Sequence, residues 1–278
     1  MSTVDLHIHS SVSDGVYTPT EVVGKAAGAG MTVIALADHD NVDGIAEALE
    51  AAEKTPGLKV IPGVEISTDV PDGEVHVLGY FIDHTHPELL SALATMRDSR
   101  QTRARKMIDK LAGLGFPVDW QRVQDLAGDG TIGRPHIAQA LLEKGYISTF
   151  QEAFTRFLAW GGPAYVGRDK MTPQEAIILI RRAGGLAVLA HPFTSNNTES
   201  LVAGLKEGGL AGLEAYYKNY TTGEISTLVS LADKYGLIAT GGTDYHGLDD
   251  KAETAIGGTN VPLKAAEELT ALAGKRAL

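Results

Sequence analysis

The chain has 278 residues, a length that suits one or two domains, or a single barrel of roughly 250 residues with additions. The 24 Lys and Arg residues against 35 Asp and Glu give a formal net charge of −11, which argues against broad electrostatic binding to nucleic acid or to an anionic membrane. Apolar residues make up 44% of the chain and cysteine is absent, so composition excludes a disordered protein, disulfides and thiolate chemistry. The N-terminal sequence does not resemble a signal peptide and no apolar run is long enough to span a membrane, which predicts a cytoplasmic location.

Apolar runs of strand length alternate with helical patterns along most of the chain. The seven runs are VDLHIH (4–9), MTVIALA (31–37), KVIPGVEIS (59–67), EVHVLGYF (74–81), GLAVLAH (185–191), GLEAYY (212–217) and GLIATGGTD (236–244). Helices are predicted over 19–29 and 42–54. Strands separated mostly by helices indicate an α/β fold with a parallel sheet, open or closed.

The stretch between the fourth and fifth runs is too long for a single crossover. It contains helical patterns over 87–114, 135–144, 149–160 and 173–183, whereas one crossover needs only one helix. We therefore predict a main domain formed by residues 1–98 and 166–278. Residues 99–165 would form a helical insertion that covers it as a cap or lid.

Two histidines close the first strand. His7 and His9 lie two residues apart, so their side chains are expected on one face together with Asp5, with Leu6 and Ile8 on the other face. Two imidazoles on one face at the end of a strand suit a divalent cation. A polar edge strand is the alternative, and it fits a first strand that is otherwise apolar less well.

Further ionisable residues follow most of the other strands. They are Asp14 after the first run, Asp38, His39 and Asp40 after the second, Glu65 at the end of the third, His76 in the fourth, His191 at the end of the fifth, and Asp244 and His246 at the end of the seventh. The carboxyl ends of parallel strands are where α/β folds build their sites. Nitrogen and oxygen ligands suit zinc, manganese or iron, and this number suits more than one ion. Three carboxylates would leave a site with three divalent ions net positive, which favours a phosphate dianion.

A second pair of histidines has the same spacing. His84 and His86 lie in the polar segment IDHTHPE, which is closed by a proline. We predict that both are exposed to solvent and bind no metal.

The motifs DLHIHS, ADHD, GVEIS, HVLGY, AHP and GTDYH run in this order from residue 5 to residue 246 and resemble those of the PHP family, the polymerase and histidinol phosphatase domain. One motif alone would be weak, whereas the whole set in order is specific. The resemblance implies a distorted (β/α)7 TIM-like barrel, a trinuclear metal centre and phosphoester hydrolysis. The metal ligands that it implies are His7, His9, Asp14, His39, Glu65, His76, His191, Asp244 and His246. None of these positions is missing, unlike in the degenerate, non-catalytic PHP domains of some polymerases.

The motif GRPHIAQAL (133–141) lies in the predicted insertion. It resembles the stand-alone PHP branch that includes nucleoside 3′,5′-bisphosphate phosphatases and 5′-to-3′ exoribonucleases acting on short RNA. Pro135 suits the first turn of a helix, so Arg134 and His136 would lie at the positive end of that helix, where a phosphate can bind. An ordinary helix cap is the alternative. Lys170, with Arg168 as a rival, is a candidate for a second phosphate contact.

Two other groups of side chains are ambiguous. Arg97, Arg100, Arg103, Arg105 and Lys106 are interpreted as a solvated helix face, with one or two arginines turned toward the cleft. The tyrosines Tyr17, Tyr216, Tyr217 and Tyr220 are able to stack on a base, although packing in the core or exposure at the rim fits them equally well.

The assignments predict a metal-dependent phosphatase that releases the 3′-phosphate of nucleoside 3′,5′-bisphosphates and also trims short 5′-phosphorylated oligoribonucleotides. Hydroxide held between two ions would attack phosphorus in line. Three divalent ions are expected, manganese first, with zinc or iron as alternatives. The residues predicted to act in catalysis are His136, His191 and Asp244, and those predicted to contact substrate are Arg134, His136, Lys170 and Tyr17.

Three rival functions fit parts of the pattern. A histidinol-phosphate phosphatase needs no surface for a nucleobase. An amidohydrolase of the urease-like class commonly bridges its metals with a modified lysine after the fourth strand, where this chain has His76 and no lysine. A non-enzymatic module would not need the complete ligand set. Neither a membrane nor a stable protein partner is expected.

Overall fold

A computed structural model describes residues 2–70, 73–128, 130, 132–167, 171–248 and 253–276. Its strands form one seven-stranded sheet in chain order: β1 (Val4–Ile8), β2 (Val33–Leu36), β3 (Lys59–Val70), β4 (Gly73–Tyr80), β5 (Leu186–Leu189), β6 (Gly212–Tyr217) and β7 (Ile238–Gly242). The first and last strands meet where the His9 amide donates a hydrogen bond to the carbonyl of Tyr245 at 2.9 Å. The sheet is therefore a nearly closed barrel, and the predicted TIM-like fold is confirmed.

Ten helices are seen in the described residues. They are α1 (Pro19–Gly28), α2 (Ile45–Glu53), α3 (Pro87–Gly113), α4 (Trp120–Ala127), α5 (Arg134–Glu143), α6 (Phe150–Ala153), α7 (Pro173–Arg182), α8 (Thr198–Glu207), α9 (Thr222–Tyr235) and α10 (Leu263–Arg276). Helices α1, α7 and α9 each begin with a Thr-x-x-Glu capping box, which satisfies free backbone donors of the first turn. The sequence analysis did not predict α4, whose eight residues fall below the usual helix length. None of the helices among the described residues is both long and apolar enough to cross a membrane.

Strand β4 runs antiparallel to both of its neighbours, whereas the sequence favoured a wholly parallel sheet. Only residues 71 and 72 separate β3 from β4, which is too short for the crossover that a parallel pair needs. Strand β3 also continues past Glu65, which the sequence placed at its end. Because β4 runs in reverse, its first half lies at the rim where the other strands end, and His76 lies there.

The alternation of inward-facing and outward-facing side chains is interrupted part-way along β1. Leu6 packs in a cluster that is closed by α10, whereas Ile8 packs in a second cluster against α1 and α2. The register of β1 against β2 shifts between Asp5 and Ile8, as it does at a bulge. The side chain of Asp5 accepts hydrogen bonds from Thr243 and from the backbone amide of His7, and it is in none of the described groups of candidate ligands. The predictions that Leu6 shares a face with Ile8, and Asp5 with His7, are therefore wrong.

Helix α3 joins the barrel to a separate hydrophobic cluster that lies outside the barrel. Its N-terminal residues Leu89 and Leu93 pack against the barrel, and its later residues Met107 and Leu111 pack with α4, α5 and α6. The predicted boundary at residue 99 falls within this continuous helix. The division into residues 1–98 with 166–278, and an insertion over 99–165, stays a prediction.

Candidate metal centre

Buried imidazoles and carboxylates gather at one rim of the barrel. Eight of the nine predicted ligands fall into three overlapping groups, in each of which the ligand atoms lie within 4.8 Å of one another. The groups are His9, Asp14, His39 and His246, then His7, His9, Glu65 and Asp244, and finally His39, Glu65 and His76. The ninth, His191, has its Nε2 atom 3.0 Å from Glu65 Oε1. Side chains separated by up to about 240 positions are thus brought into one cluster.

The backbone at this rim is tightly constrained. His191 and Asp244, which follow β5 and β7, have φ values of 27° and 48°, a region that costs about 1–3 kcal/mol for residues other than glycine and that is common at functional sites. Gly242 lets β7 approach β1, because a Cβ atom there would lie 2.4 Å from the Cβ of His7. The GG of the TGGTD motif therefore helps to close the barrel beside the cluster.

Glu65 lies at the centre of the cluster and is almost completely buried. Its Oε1 atom faces His76 Nδ1 at 2.8 Å and His191 Nε2 at 3.0 Å. Its Oε2 atom faces His39 Nδ1 at 2.9 Å and His9 Nε2 at 3.4 Å. A carboxylate whose two oxygens face different imidazoles is placed to bridge two cations.

Several polar atoms of the cluster are buried without a hydrogen bond. They are Nε2 of His7, both ring nitrogens of His9, Nδ1 of His39 and Oε2 of Glu65. Each buried polar atom without a hydrogen bond destabilises the folded protein by roughly 1–3 kcal/mol. Several such atoms in one cluster are therefore unfavourable unless something binds them. Cations coordinated by these nitrogens and oxygens would satisfy them, and the ligand set suits zinc, manganese or iron. The residues present therefore fit a divalent metal centre.

Electrostatics favour the ligating form of most of these groups. Burial, reinforced by His246, lowers the pKa of His9 to about 3. Burial lowers the pKa of His76 to about 4, although Glu65 opposes the shift. Burial alone would raise the pKa of Glu65, but His39 and His76 hold it well below its usual value. Neutral imidazoles and ionised carboxylates are the forms that bind metal.

Neighbouring carboxylates raise the pKa of His7 and of His39 against the effect of burial. His246 is the third exception. Burial alone would lower its pKa, but the carboxylates of Asp14 and Asp244 raise the pKa to about 9. The imidazolium lies with its Nε2 atom 3.3 Å from Asp14, so its charge balances that carboxylate in the metal-free protein. A metal ion bound here must displace this proton.

The model of the PHP domain matches residues 5–160, more than half of the chain. The chain belongs to the PHP family.

Two relatives and a solved structure cover most of this PHP protein. It is 37% identical over 246 residues to the 5′-3′ exoribonuclease of Haemophilus influenzae, covering 87% of this chain and 89% of that protein. It is 34% identical over 251 residues to the 3′,5′-nucleoside bisphosphate phosphatase of Chromobacterium violaceum, covering 88% of each. A protein of Bifidobacterium adolescentis, assigned as a metal-dependent phosphoesterase, superposes with a TM-score of 0.86 at 30% identity, covering 96% of this chain and 95% of that one. The predicted family and the predicted class, a metal-dependent phosphatase or phosphoesterase, are confirmed.

Sequence reasoning missed a carboxylate behind the PHP cluster. Glu214 on β6 is fully buried, and its Oε1 atom lies 3.0 Å from His7 Nδ1. Its Oε2 atom accepts a hydrogen bond from the backbone amide of His191 at 2.8 Å. The signal was a single acid inside the apolar run GLEAYY, where burial of a charge needs a partner.

Replacing Glu214 with Gln should weaken metal binding or turnover by about 10- to 100-fold, the usual cost of losing the carboxylate that orients a ligating histidine. Metal affinity and kcat/KM of the purified variant would measure the effect. Glu207→Gln, an exposed change on α8, is the matched control. Wild-type metal affinity and turnover in Glu214→Gln would contradict the orienting role.

Two more supports hold the ligands of this PHP site. Asp38 accepts hydrogen bonds from the amide and hydroxyl of Ser10 and from the hydroxyl of Ser13, which fixes the loop that carries Asp14. Burial raises the pKa of Asp38 to about 6 despite these bonds. On the other side, Tyr217 and Lys218 contact Oδ2 of Asp244 at 2.7 Å and 3.0 Å.

A cavity of about 1100 Å³ lies next to the cluster, between the rim loops and the helices of the 99–165 segment. Asp14 and His136 lie on its wall. His136 is nine-tenths buried at the start of α5, and its Nδ1 atom accepts a hydrogen bond from the Gly133 amide at 3.0 Å. Burial lowers the pKa of His136. The remaining wall includes apolar side chains such as Leu126 and Phe150.

Arg134 and Tyr17, which were also predicted to contact substrate, are not among the described lining residues of this cavity. Arg134 is at the start of α5 as expected, and its Nη2 atom pairs with Glu74 at 2.8 Å. Tyr17 lies outside the described wall of the cavity and packs against Lys25, whose Nζ lies 3.7 Å from the centre of its ring. Lys170 and its rival Arg168 lie outside the described residues.

The ambiguous groups divide as follows. Arg105 and Lys106 are exposed, as predicted for a solvated face, whereas Arg97, Arg100 and Arg103 are partly or fully buried. Tyr217 and Tyr220 pack in a row with Phe193 beside His191, while Tyr216 packs against the hydrophobic core.

His84 and His86 are half-buried rather than exposed, which corrects the prediction of solvent exposure. Neither is in a group able to hold a metal among the residues that the structure describes.

Proposed function

We propose that the chain removes the 3′-phosphate of nucleoside 3′,5′-bisphosphates, giving AMP and phosphate from adenosine 3′,5′-bisphosphate. The observation that carries this proposal is the cluster of nine ligand side chains beside a cavity of about 1100 Å³, a volume that suits a small-molecule site. The names of the two relatives, a bisphosphate phosphatase and an exoribonuclease, support a small phosphorylated substrate for this chain.

The three ligand groups would hold three divalent ions, with manganese first and zinc or iron as alternatives. Bound there, such ions supply a Lewis acid that activates water and neutralises charge on the phosphoryl oxygens. The chain's part is to fix the ligands. Glu214 orients His7, the Ser10–Asp38 contact orients the Asp14 loop, and Lys218 holds Asp244.

His136 is proposed as the group that protonates the leaving oxygen. Its Nδ1 atom accepts from the Gly133 amide, so its proton is carried on Nε2, and the side chain lies on the cavity wall. His191, the alternative donor, has its Nε2 atom 3.0 Å from Glu65 and is engaged in the cluster. Asp244, which the sequence analysis assigned to catalysis, would act as a metal ligand. Arg134, Lys170 and Tyr17 remain proposed contacts of the substrate.

The cavity favours short substrates. Among its described lining residues are the acids Asp14, Asp43 and Asp125, and none is a lysine or an arginine. Long RNA needs a basic track for its backbone, and the net charge of −11 also opposes it. Trimming of short 5′-phosphorylated oligoribonucleotides is therefore the proposed extension. A cytoplasmic location without a stable protein partner stays a prediction.

Release of inorganic phosphate from the small substrates of a panel, and release of mononucleotides from its oligonucleotides, test the proposal in the presence of added Mn²⁺. The panel holds adenosine 3′,5′-bisphosphate, AMP, histidinol phosphate and 5′-phosphorylated dinucleotides and trinucleotides. We expect kcat/KM for the bisphosphate to exceed that for AMP and for histidinol phosphate by about tenfold or more, since a second bound phosphate adds charge-assisted hydrogen bonds. A preference for histidinol phosphate would replace the proposal with that rival, and hydrolysis of none of these phosphoesters would overturn the proposal and leave the amidohydrolase as the rival.

A further inference from the structure

The two oxygens of Asp244 lie in different surroundings. Oδ1 faces the metal cluster, with His9 Nε2 at 3.0 Å. Oδ2 instead accepts a hydrogen bond from the hydroxyl of Tyr217 at 2.7 Å and contacts Nζ of Lys218 at 3.0 Å. Glu65 differs in this respect, because both of its oxygens face imidazoles. One carboxylate of the cluster is therefore free to bind ions through two oxygens, and the other through one.

Tyr217 reaches Asp244 because β6 is irregular. The register of β6 against β7 shifts between Glu214 and Tyr216, so β6 gains one residue relative to its neighbour, as it does at a β-bulge. In a regular strand Tyr216 would share the face of Glu214. Here Tyr217 contacts Asp244, while Tyr216 packs against the hydrophobic core. The bulge thus selects which of the two tyrosines donates to the carboxylate.

Lys218 contacts Asp244 at two places. Its Nζ atom donates to the backbone carbonyl of Asp244 at 3.0 Å, and the same atom contacts Oδ2 at 3.0 Å. The backbone of Asp244 has a φ of 48°, a conformation that the surrounding contacts must stabilise. A carboxylate oxygen has about two acceptor positions, and the donors from Tyr217 and Lys218 use both positions of Oδ2. That oxygen has no position left for a cation.

We propose that Tyr217 and Lys218 are positioning residues that restrict Asp244 to metal binding through Oδ1 alone. Carboxylates bind cations with one oxygen or with two. A ligand that offers one oxygen takes one coordination position, and metal sites that act in catalysis retain an open position. The proposal rests on the proposed function only in that ions bind the cluster. It gives Tyr217 a role in orienting a ligand, where the sequence suggested stacking on a base or packing.

Replacing both residues, Tyr217→Phe with Lys218→Met, removes the two donors and keeps the ring and the length of the side chains. Co²⁺ bound to the protein absorbs visible light, and this absorption weakens as the coordination number of the ion rises. We expect the saturated double variant to absorb more weakly than the wild type at equal or higher Co²⁺ affinity, because the released Oδ2 takes a second coordination position. The kcat for adenosine 3′,5′-bisphosphate should fall by about 10- to 100-fold, the usual effect of losing a group that orients a ligand.

Tyr216→Phe, which changes the neighbouring tyrosine that packs against the core, is the matched control and should alter neither absorption nor kcat. Unaltered or stronger absorption by the saturated double variant would overturn the proposal, even if Co²⁺ affinity or kcat falls, because such losses also follow when a loop is merely held less firmly. If the double variant does not fold, Tyr217→Phe alone frees one position of Oδ2 and gives the same comparison.

The absorption measurement separates this proposal from the proposed function, because it involves no substrate. Weaker absorption by the double variant supports the one-oxygen role of Asp244 even if adenosine bisphosphate is not the substrate. Failure of the wild-type protein to release phosphate from adenosine bisphosphate would overturn the proposed function alone.

Discussion

Replacing His9 with alanine should abolish phosphate release, with kcat/KM falling by about 10³-fold or more, the order of loss when a group that stabilises developing charge is removed. His9 belongs to two of the three ligand groups, so one substitution removes a ligand from two ion positions. Asp244→Ala should have a similar effect through the second group. Initial rates on adenosine 3′,5′-bisphosphate with excess Mn²⁺ would measure both losses.

The fold should survive these substitutions. Burial lowers the pKa of His9 to about 3, so the contact of its Nε2 atom with Asp244 Oδ1 at 3.0 Å involves a neutral imidazole, and the metal-free protein loses no ion pair when the imidazole is deleted. Far-UV circular dichroism and thermal unfolding of metal-free His9→Ala should therefore match the wild type closely. Asp244→Ala should keep the far-UV spectrum but unfold at a lower temperature, because it loses the contacts with Tyr217 and Lys218. His84→Ala, which changes a histidine of the same spacing outside the cluster, is the matched control and should retain full activity. Full activity in both His9→Ala and Asp244→Ala would remove the basis of the metal mechanism.

Most of the candidate ligands were predictable because they lie where a short apolar run ends. His39, His191 and Asp244 directly follow β2, β5 and β7, and such strand ends meet at one rim whatever the details of the helices. For these residues, local sequence order was enough to predict that they come together. The family resemblance added that no position of the set is missing.

The direction of β4 and the bulge in β1 were not predictable in the same way. His76 reaches the rim only because β4 runs antiparallel. The periodicity of an apolar run is the same in both directions, and the signal that was overlooked is the short gap between the third and fourth runs, since a parallel crossover needs a dozen or more residues. The shift of register after Asp5 depends on pairing with β2, which lies about 30 residues later. Both errors concern strand pairing, and in both cases the histidines still reach the cluster.

Contacts between segments that are distant in sequence were also not predicted. Arg100 and Asp40 are 60 residues apart, and Glu214 and His7 are separated by 207 residues. From the sequence alone, the arginines of α3 are compatible with a solvated helix face. The sequence does not show which distant residue each of them contacts. These contacts therefore required the fold, whereas the clustering of the candidate metal ligands did not.

Removing the metal should lower thermal stability, and restoring it should raise the midpoint of unfolding. An ion that binds only the folded protein at about 100 times its Kd adds roughly 2.7 kcal/mol, and each kcal/mol shifts Tm by about 2–4 °C for a domain near this size. We therefore expect roughly 5–10 °C per bound ion. Calorimetry of chelated and Mn²⁺-loaded protein would measure the shift, and elemental analysis of the loaded protein should give three ions per chain.

The size of this shift should depend on pH in a definite direction. In the metal-free protein the pKa of His246 is raised to about 9, above its ordinary value of about 6.5 in an unfolded chain. The stabilisation from its proton is therefore complete below about pH 6.5 and is lost as pH rises through about 9. Metal binding must release this proton, so affinity increases over the same range. The gap in Tm between loaded and metal-free protein should widen from pH 7 to pH 9, whereas His246→Asn should show a smaller, flatter gap, and a gap in the wild type that narrows with rising pH would contradict the role of His246 as a ligand.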